Sequence, residues 1–286
     1  MNSSSSHSVQ YIFSCICTHT KLATKLTNNF KEIHKYFRLS KHDKYAIQQI
    51  FSSHAKEIKT QAILMEEKRW REMLLSIRYV STIFKMNHLK KYWEKYLNIL
   101  LFENPIPPTP LQESIAFLTR LKDYFDSIVD NNSTHRFKKL VIDYELSRNT
   151  VFSYQFNANY SNCIKNNGIN LYSVEKINLN PSIIIKTFNG EVSKIVEKLK
   201  NHECLNRHVA YLLEKTEIVV FFKDRSTGAV KSIQLNELAH FMLIQLTQTS
   251  DLASLVEVIT NKMNIKKELC VHFMEKLIEK GVIHVS

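Results

Sequence analysis

Reactive side chains occur throughout this sequence, but their spacing matches no known catalytic motif. The whole chain contains only four glycines, namely Gly168, Gly190, Gly228 and Gly281. Phosphate-binding loops and the turn that exposes a hydrolase serine both need closely spaced glycines, because the backbone there approaches the ligand or bends sharply. The sequence therefore argues against a nucleotide-binding protein and against an α/β-hydrolase.

The histidines and cysteines also lack the spacing of a metal site. The 12 histidines are scattered, and His202 and His208 flank Cys204 at distances that fit no known zinc pattern. Cys15 and Cys17 form a C-x-C pair, and a metal held partly by this pair stays an alternative. The odd total of five cysteines is typical of free thiols in a reducing compartment. We predict that this chain holds no cofactor of its own.

The densest charged segment, Glu66 to Glu72, could suggest acid-base chemistry. Adjacent residues of a helix point in different directions, so these side chains cannot converge on one site. We interpret the segment as a solvated helix face that Trp70 anchors at one edge. No catalytic residue is predicted.

The remaining candidate acts through its backbone. The apolar run Glu217 to Lys223, the turn Asp224 to Gly228 and the alternating run Ala229 to Gln234 predict a β-hairpin. If one strand has a free edge, an extended peptide can add to it as a further strand, with its side chains in an adjacent helix groove. The predicted peptide-contact residues are Ile218, Val219, Val220, Phe221, Phe222, Ala229, Val230, Lys231, Ser232 and Ile233.

The elements after the hairpin predict a compact module. Three amphipathic helices follow, with Asn236 capping the first, Ser250 or Asp251 capping the second, and Gly281 ending the third before a last short strand. Residues 216–286 are therefore predicted to form a winged-helix-like module.

The segment before the hairpin has a mixed pattern. The β-branched stretches Leu171 to Ile177 and Ser182 to Phe188 suit short strands, whereas Val192 to Leu199 and Cys204 to Leu213 suit helices. Together with the module, these stretches give an α+β domain over residues 151–286.

The first part of the chain has helical periodicity. Leu22 to Phe37 predicts one helix of about 18 residues, and Asp43 to Phe84 predicts one long helix or two joined by a bend. The next helix ends at Asn104, before several prolines, and Thr109 begins another with the signature of a capped start. We predict a helical bundle over residues 1–150, with disorder allowed in residues 1–20. The fold class is α+β and mainly helical.

The net charge of +12 and the pI near 9.3 favour an acidic partner surface or nucleic acid. Lysines alternate with glutamates at helical spacing, and the last helix mixes both signs, which argues against nucleic acid. The rival interpretations are a winged-helix DNA-binding transcriptional regulator, a purely structural docking module and a free-standing enzyme. The sequence lacks the roughly 18 consecutive apolar residues of a membrane span and a good secretory signal, so we expect a cytoplasmic protein without a membrane partner.

Several segments resemble one protein family. The runs VVFFKDRSTGAVKSIQLNELAHFMLIQL (219–246), SLVEVI (254–259) and FMEKLIEKGVIHV (273–285) resemble the C-terminal domain of the subunits that accompany TIM-barrel multi-iron oxidases in peptide-natural-product pathways, the MbnC and HvfC types. LVIDYELSRNTVF (140–152) and INLNPSIIIKTF (177–188) resemble the helix with a central YE pair and the strand entering that family's second domain. FSSHAKEIKTQAILMEEKRWREML (51–74) and YWEKYL (92–97) are most similar to the methanobactin-type, or MbnC-type, members.

The resemblance covers the chain from about Asp43 onward and implies a function. The C-terminal module would be peptide-recognition-element-like and would hold the leader of a precursor peptide. The partner would be an MbnB-like TIM-barrel oxidase that houses the iron and uses oxygen to convert a peptide cysteine to an oxazolone and thioamide group, as in the biosynthesis of methanobactin-type copper chelators. This chain would be a non-catalytic accessory subunit of that complex.

Overall fold

The computed structural model describes residues 8–103, 109–129, 132–156, 176–203 and 209–285. The chain is mainly helical with small antiparallel sheets, as the predicted α+β class requires. Its internal contacts separate two compact units, Met1–Tyr124 and Phe125–Ser286. The sequence analysis predicted the domain boundary near residue 150. The contacts instead assign the helix that ends near this residue to the second unit, because the helix packs on that unit's sheet.

The first unit consists of helices. They are α1 (Val9–Ile16), α2 (Thr20–Asn28), a short 3₁₀-helix (Phe30–Lys35), α3 (Lys41–Ser76), α4 (Arg78–Ile83), α5 (Met86–Glu103) and α6 (Pro110–Ser127), whose last turn falls in the second unit. Residues 8–20, where the sequence allowed disorder, form α1 and the start of α2. The Ser8 side chain caps α1 by accepting from the backbone N–H of Tyr11 at 3.2 Å.

Some predicted helix limits are confirmed and one is wrong. The single helix predicted from Leu22 to Phe37 is broken at Asn29, whose φ of −148° and ψ of 88° are not helical. The long predicted stretch is two helices, α3 and α4, with a kink inside α3 at His54. The predicted start at Thr109 is confirmed, because its hydroxyl accepts from the Gln112 N–H at 3.2 Å.

A buried ion pair ties the first unit together. Arg69 of α3 donates to both carboxylate oxygens of Glu113 of α6, from Nε to Oε2 at 3.1 Å and from Nη2 to Oε1. Arg69 also donates to the carbonyl of Thr18 at 2.8 Å. The two side chains are only 12% and 4% exposed, and burial raises the pKa of Glu113 although Arg69 opposes the shift. An aromatic cluster of Trp70, Trp93, Tyr96 and Phe117 packs around this part of the core.

The second unit combines helices with strands. They are α7 (Ser133–Ser153), β1 (Ile177–Leu179), β2 (Ile184–Phe188), α8 (Val192–Lys200), α9 (Val209–Leu212), β3 (Glu217–Lys223), β4 (Val230–Leu235), α10 (Glu237–Leu246), α11 (Leu252–Met263), α12 (Lys267–Glu279) and β5 (Ile283–Val285). The predicted hairpin and the three helices after it are confirmed, including the caps at Asn236 and Asp251. The strand predicted over Leu171 to Ile177 and the start of the helix predicted from Cys204 lie largely outside the described residues.

Two antiparallel sheets form in this unit. The three-stranded sheet has the order β2-β3-β4, so β2 joins the predicted hairpin, and β5 pairs with β1 instead. Val220 and Phe222 point into the core that α10, α11 and α12 complete. Phe221 points to the opposite face, where its ring lies 5.0 Å from that of Tyr144 on α7. The sheet is therefore covered on both faces, which is why its central strand reads as continuously apolar.

Replacing Glu113 should strongly destabilise the first unit. The variant Glu113→Ala leaves the buried Arg69 charge without its carboxylate, and such a loss costs about 3–5 kcal/mol. Urea unfolding followed by tryptophan fluorescence measures this, because both tryptophans of the chain lie in this unit. Glu67→Ala is the control, since it breaks only exposed pairs with Arg71 and Lys90, worth less than about 1 kcal/mol. An equal loss in the two variants would contradict the prediction.

His284 should make the second unit sensitive to acid. Burial, and secondarily the charge of Arg225, lower the pKa of His284 from 6.5 to about 4, so the folded protein keeps it neutral. The unfolded chain binds the proton first, so stability present above pH 6.5 is lost as the pH falls toward 4, by on the order of 3 kcal/mol. His284→Gln should flatten this loss in unfolding titrations at several pH values. His272→Gln, at a side chain 56% exposed, is the control and should keep the wild-type slope.

Candidate functional site

The three-stranded sheet decides which of the predicted peptide-contact residues can accept a further strand. β3 is central and pairs with β2 on one side and β4 on the other. Its backbone is therefore fully used, and Val219 to Phe222 have no exposed surface. Of the two strands that contain the predicted contact residues, β4 is the one that pairs on one side only, so the edge available within this set lies at Val230 to Leu235. The predicted contact residues Ile218 to Phe222 therefore lie in the buried strand next to the edge. The predicted residues Val230 to Ile233 lie in the edge strand itself.

The hydrogen bonds of the turn identify the outward groups of β4. The Asp224 N–H donates to the Ala229 carbonyl at 2.8 Å, so this pair faces inward. Inward and outward residues alternate along an antiparallel strand. The register Lys223 to Val230 then places the backbone N–H and C=O of Val230, Ser232 and Gln234 on the outer edge. These groups can each bond to an added strand.

A groove runs beside this edge. It has a volume of about 330 Å³ and lies between β4, the start of α10 and one side of α12. Its apolar lining consists of Ile233, Leu235, Ala239, Phe273 and Leu277, and its polar lining of Gln234, Asn236, Lys276 and Lys280. The groove therefore has an apolar base, and the ammonium groups of Lys276 and Lys280 lie along its α12 side.

Local sequence explains why these residues meet. Lys276, Leu277 and Lys280 lie three, four and seven residues after Phe273, so they share one side of α12 and its C-cap. Leu235 and Leu277 are buried in the floor, whereas Ile233 and Phe273 are half-buried and border the opening. Helical periodicity in the sequence predicts only that Phe273 and Leu277 lie on the apolar side of an amphipathic helix. It could not show that this helix side lies along the strand edge.

The turn between β3 and β4 is held rigidly. The Asp224 carboxylate pairs with Lys231 and accepts from the backbone N–H groups of Ser226, at 2.8 Å, and Thr227, at 3.1 Å. Although burial alone would raise its pKa, these bonds hold the pKa of Asp224 well below its usual range. Lys231 and Ala229 from the predicted set thus fix the hairpin register. Gly228 has a φ of +68°, which closes the turn without side-chain strain.

The two fully buried thiols among the described residues are poorly suited to nucleophilic chemistry. Burial raises the pKa of the Cys15 and Cys270 thiols to about 11, so both stay protonated at neutral pH. Cys163 and Cys204 lie outside the described residues. Within the described ranges, no group of three or more His, Cys, Asp or Glu side chains is close enough to hold a metal ion. No described helix has both the length and the apolar character needed to cross a membrane.

The geometry therefore describes a surface that can bind an extended chain. The groove supplies apolar contacts and charge, and the strand edge supplies backbone bonds. Neither a protein-family model nor a curated protein matches this sequence. The family resemblance of the sequence segments stays a prediction.

Proposed function

We propose that this chain is a binding subunit that holds an extended peptide on the edge of β4 for a partner enzyme. The observation that carries the proposal is the one-sided pairing of β4 directly beside an apolar groove. A peptide strand gains affinity from backbone bonds and specificity from pockets that take its alternate side chains. Both kinds of contact are available here from residues close in space.

The groove indicates the kind of peptide. Side chains that point from the added strand toward α12 would meet Ile233, Leu235 and Phe273, so apolar side chains are favoured there. Lys276 and Lys280 are exposed along the same rim and favour carboxylates next to the apolar positions. Because successive side chains of a strand point to opposite faces, we expect apolar and acidic residues two positions apart in the peptide, on the one face that meets the groove.

The family resemblance makes the proposal more specific. In this form, the module of the hairpin with α10, α11 and α12 is winged-helix-like, or peptide-recognition-element-like, and holds the leader of a precursor peptide. The partner is an MbnB-like TIM-barrel oxidase in the cytoplasm, and its iron performs the conversion of cysteine to oxazolone and thioamide. The added strand β2 and the pairing of β5 with β1 are extensions of such a module.

The first test is complex formation. Co-expressed with a TIM-barrel oxidase encoded in the same locus, the tagged full-length chain should co-elute with the oxidase in size-exclusion chromatography. Iron should follow the oxidase peak in metal analysis, and cysteine modification should require both chains. A persistently separate chain, or turnover by this chain alone with bound iron, would overturn the proposed function. Site-selective binding of duplex DNA would instead support the regulator interpretation.

The second test removes one outward N–H from the edge. Gln234→Pro deletes a donor that β3 does not use, so the hairpin should keep its pairing while an added strand loses a bond and meets the proline ring. The fluorescein-labelled precursor peptide of the same locus should bind at least about tenfold more weakly in fluorescence anisotropy, because a lost bond and steric conflict exceed about 1.4 kcal/mol. Gln234→Ala keeps the N–H and is the matched control with near-normal affinity. Equal affinities for the two variants would exclude strand addition at this edge.

A further inference from the structure

A second pocket lies at the opposite edge of the three-stranded sheet. It has a volume of about 260 Å³ and is bounded by the end of α6, the first half of α7, and the end of β2 with the turn after it. Phe125 and Phe188 supply aromatic surface, and Arg136 and Lys139 supply positive charge. This pocket is separate from the β4 groove, since the two have no lining residue in common.

The register of the sheet places unused backbone groups in its wall. In β3, Ile218, Val220 and Phe222 form their backbone hydrogen bonds with β4. The residues between them therefore form theirs with β2. These alternate residues pair with Ile184, Lys186 and Phe188. The backbone N–H and C=O of Thr187, which lines the pocket, therefore face away from β3.

The charges around the pocket are unevenly compensated. Lys139 pairs with Asp126 at 2.5 Å, and Lys186 pairs with Asp143 at 2.8 Å. Arg136 donates through Nη2 to the carbonyl of Leu213 at 2.8 Å, which is a neutral acceptor. In the part of the chain that the structure describes, Arg136 is thus the lining cation whose charge no carboxylate offsets.

We propose that this pocket binds a carboxylate attached to an apolar, preferably aromatic, group. The guanidinium of Arg136 has donors beyond the one used for Leu213, and its planar fork matches the two oxygens of a carboxylate. Phe125 and Phe188 border the space that the apolar part would fill, and the Thr187 N–H can bond to a neighbouring amide carbonyl. A monoanion fits better than a phosphate dianion, because Lys139 is already paired with a carboxylate and Arg136 supplies a single uncompensated positive charge.

The proposal is tested with N-acetylphenylalanine as the probe and N-acetylphenylalaninamide as its uncharged match. Titrations of the full chain, followed by amide NMR shifts, should show at least tenfold tighter binding of the acid. Arg136→Gln should weaken acid binding at least tenfold, Arg136→Lys should retain part of it, and Arg148→Gln on the same helix outside the pocket should leave it unchanged. Equal binding of acid and amide, or an unchanged affinity in Arg136→Gln, would overturn the proposal.

Two further measurements keep the result unambiguous. If Arg136→Gln does not fold, the wild-type spectra still test the site. The acid should shift the Thr187 amide resonance, and shifts confined to other regions would overturn the proposal. Acetyl-Gly-Gly-Phe with a free carboxylate distinguishes the sources of the ligand. Tighter binding than N-acetylphenylalanine identifies a peptide C-terminus, whereas equal binding identifies a small free acid. Gln234→Pro should change neither affinity, so this test is independent of the β4 groove.

Discussion

Backbone pairing of the buried strand β3 is the constraint on which the second unit depends. A strand whose residues Val219 to Phe222 are wholly buried cannot leave its N–H and C=O groups without partners, because water does not reach them. β2 and β4 satisfy these groups on both sides. The unused backbone groups of the sheet are thereby moved to its two outer strands, and each described pocket discussed above lies beside one of these edges.

This constraint leaves two strand edges to which an extended backbone can add. Strand edges recognise any extended backbone, so selectivity must come from the surfaces beside them. At the β4 edge, the apolar base of the groove and the lysines of the α12 side provide this selectivity. At the β2 edge, Arg136 provides it, because no carboxylate of the described residues offsets its charge. The first unit relies on a different interaction, in which the buried pair of Arg69 and Glu113 connects α3 with α6. Removing one partner of such a pair leaves a buried charge uncompensated, whereas replacing both partners by well-packed apolar residues is often neutral for stability.

Much of the local structure was predictable from the sequence. The hairpin, the caps at Thr109, Asn236 and Asp251, and the helices after the hairpin follow from short-range rules of turn chemistry and periodicity, and the structure confirms them. The break at Asn29 was not predictable from periodicity, because a 3₁₀ turn kept Ile33 and Phe37 buried and so preserved the apolar pattern. The pairing of β2 with β3 was equally hidden, since it joins segments that are distant in the chain.

The sequence by itself determined that an apolar strand, a tight turn and a returning strand form a β-hairpin, and that closely spaced glycines for phosphate loops are missing. Only the tertiary structure decided that the apolar strand is the centre of the sheet and that Ser232 and Gln234 face outward beside Phe273. It also decided that Arg136 and Thr187 line the same pocket. Periodicity reports which side of an element is apolar, whereas the choice of neighbour depends on long-range packing that no local pattern encodes.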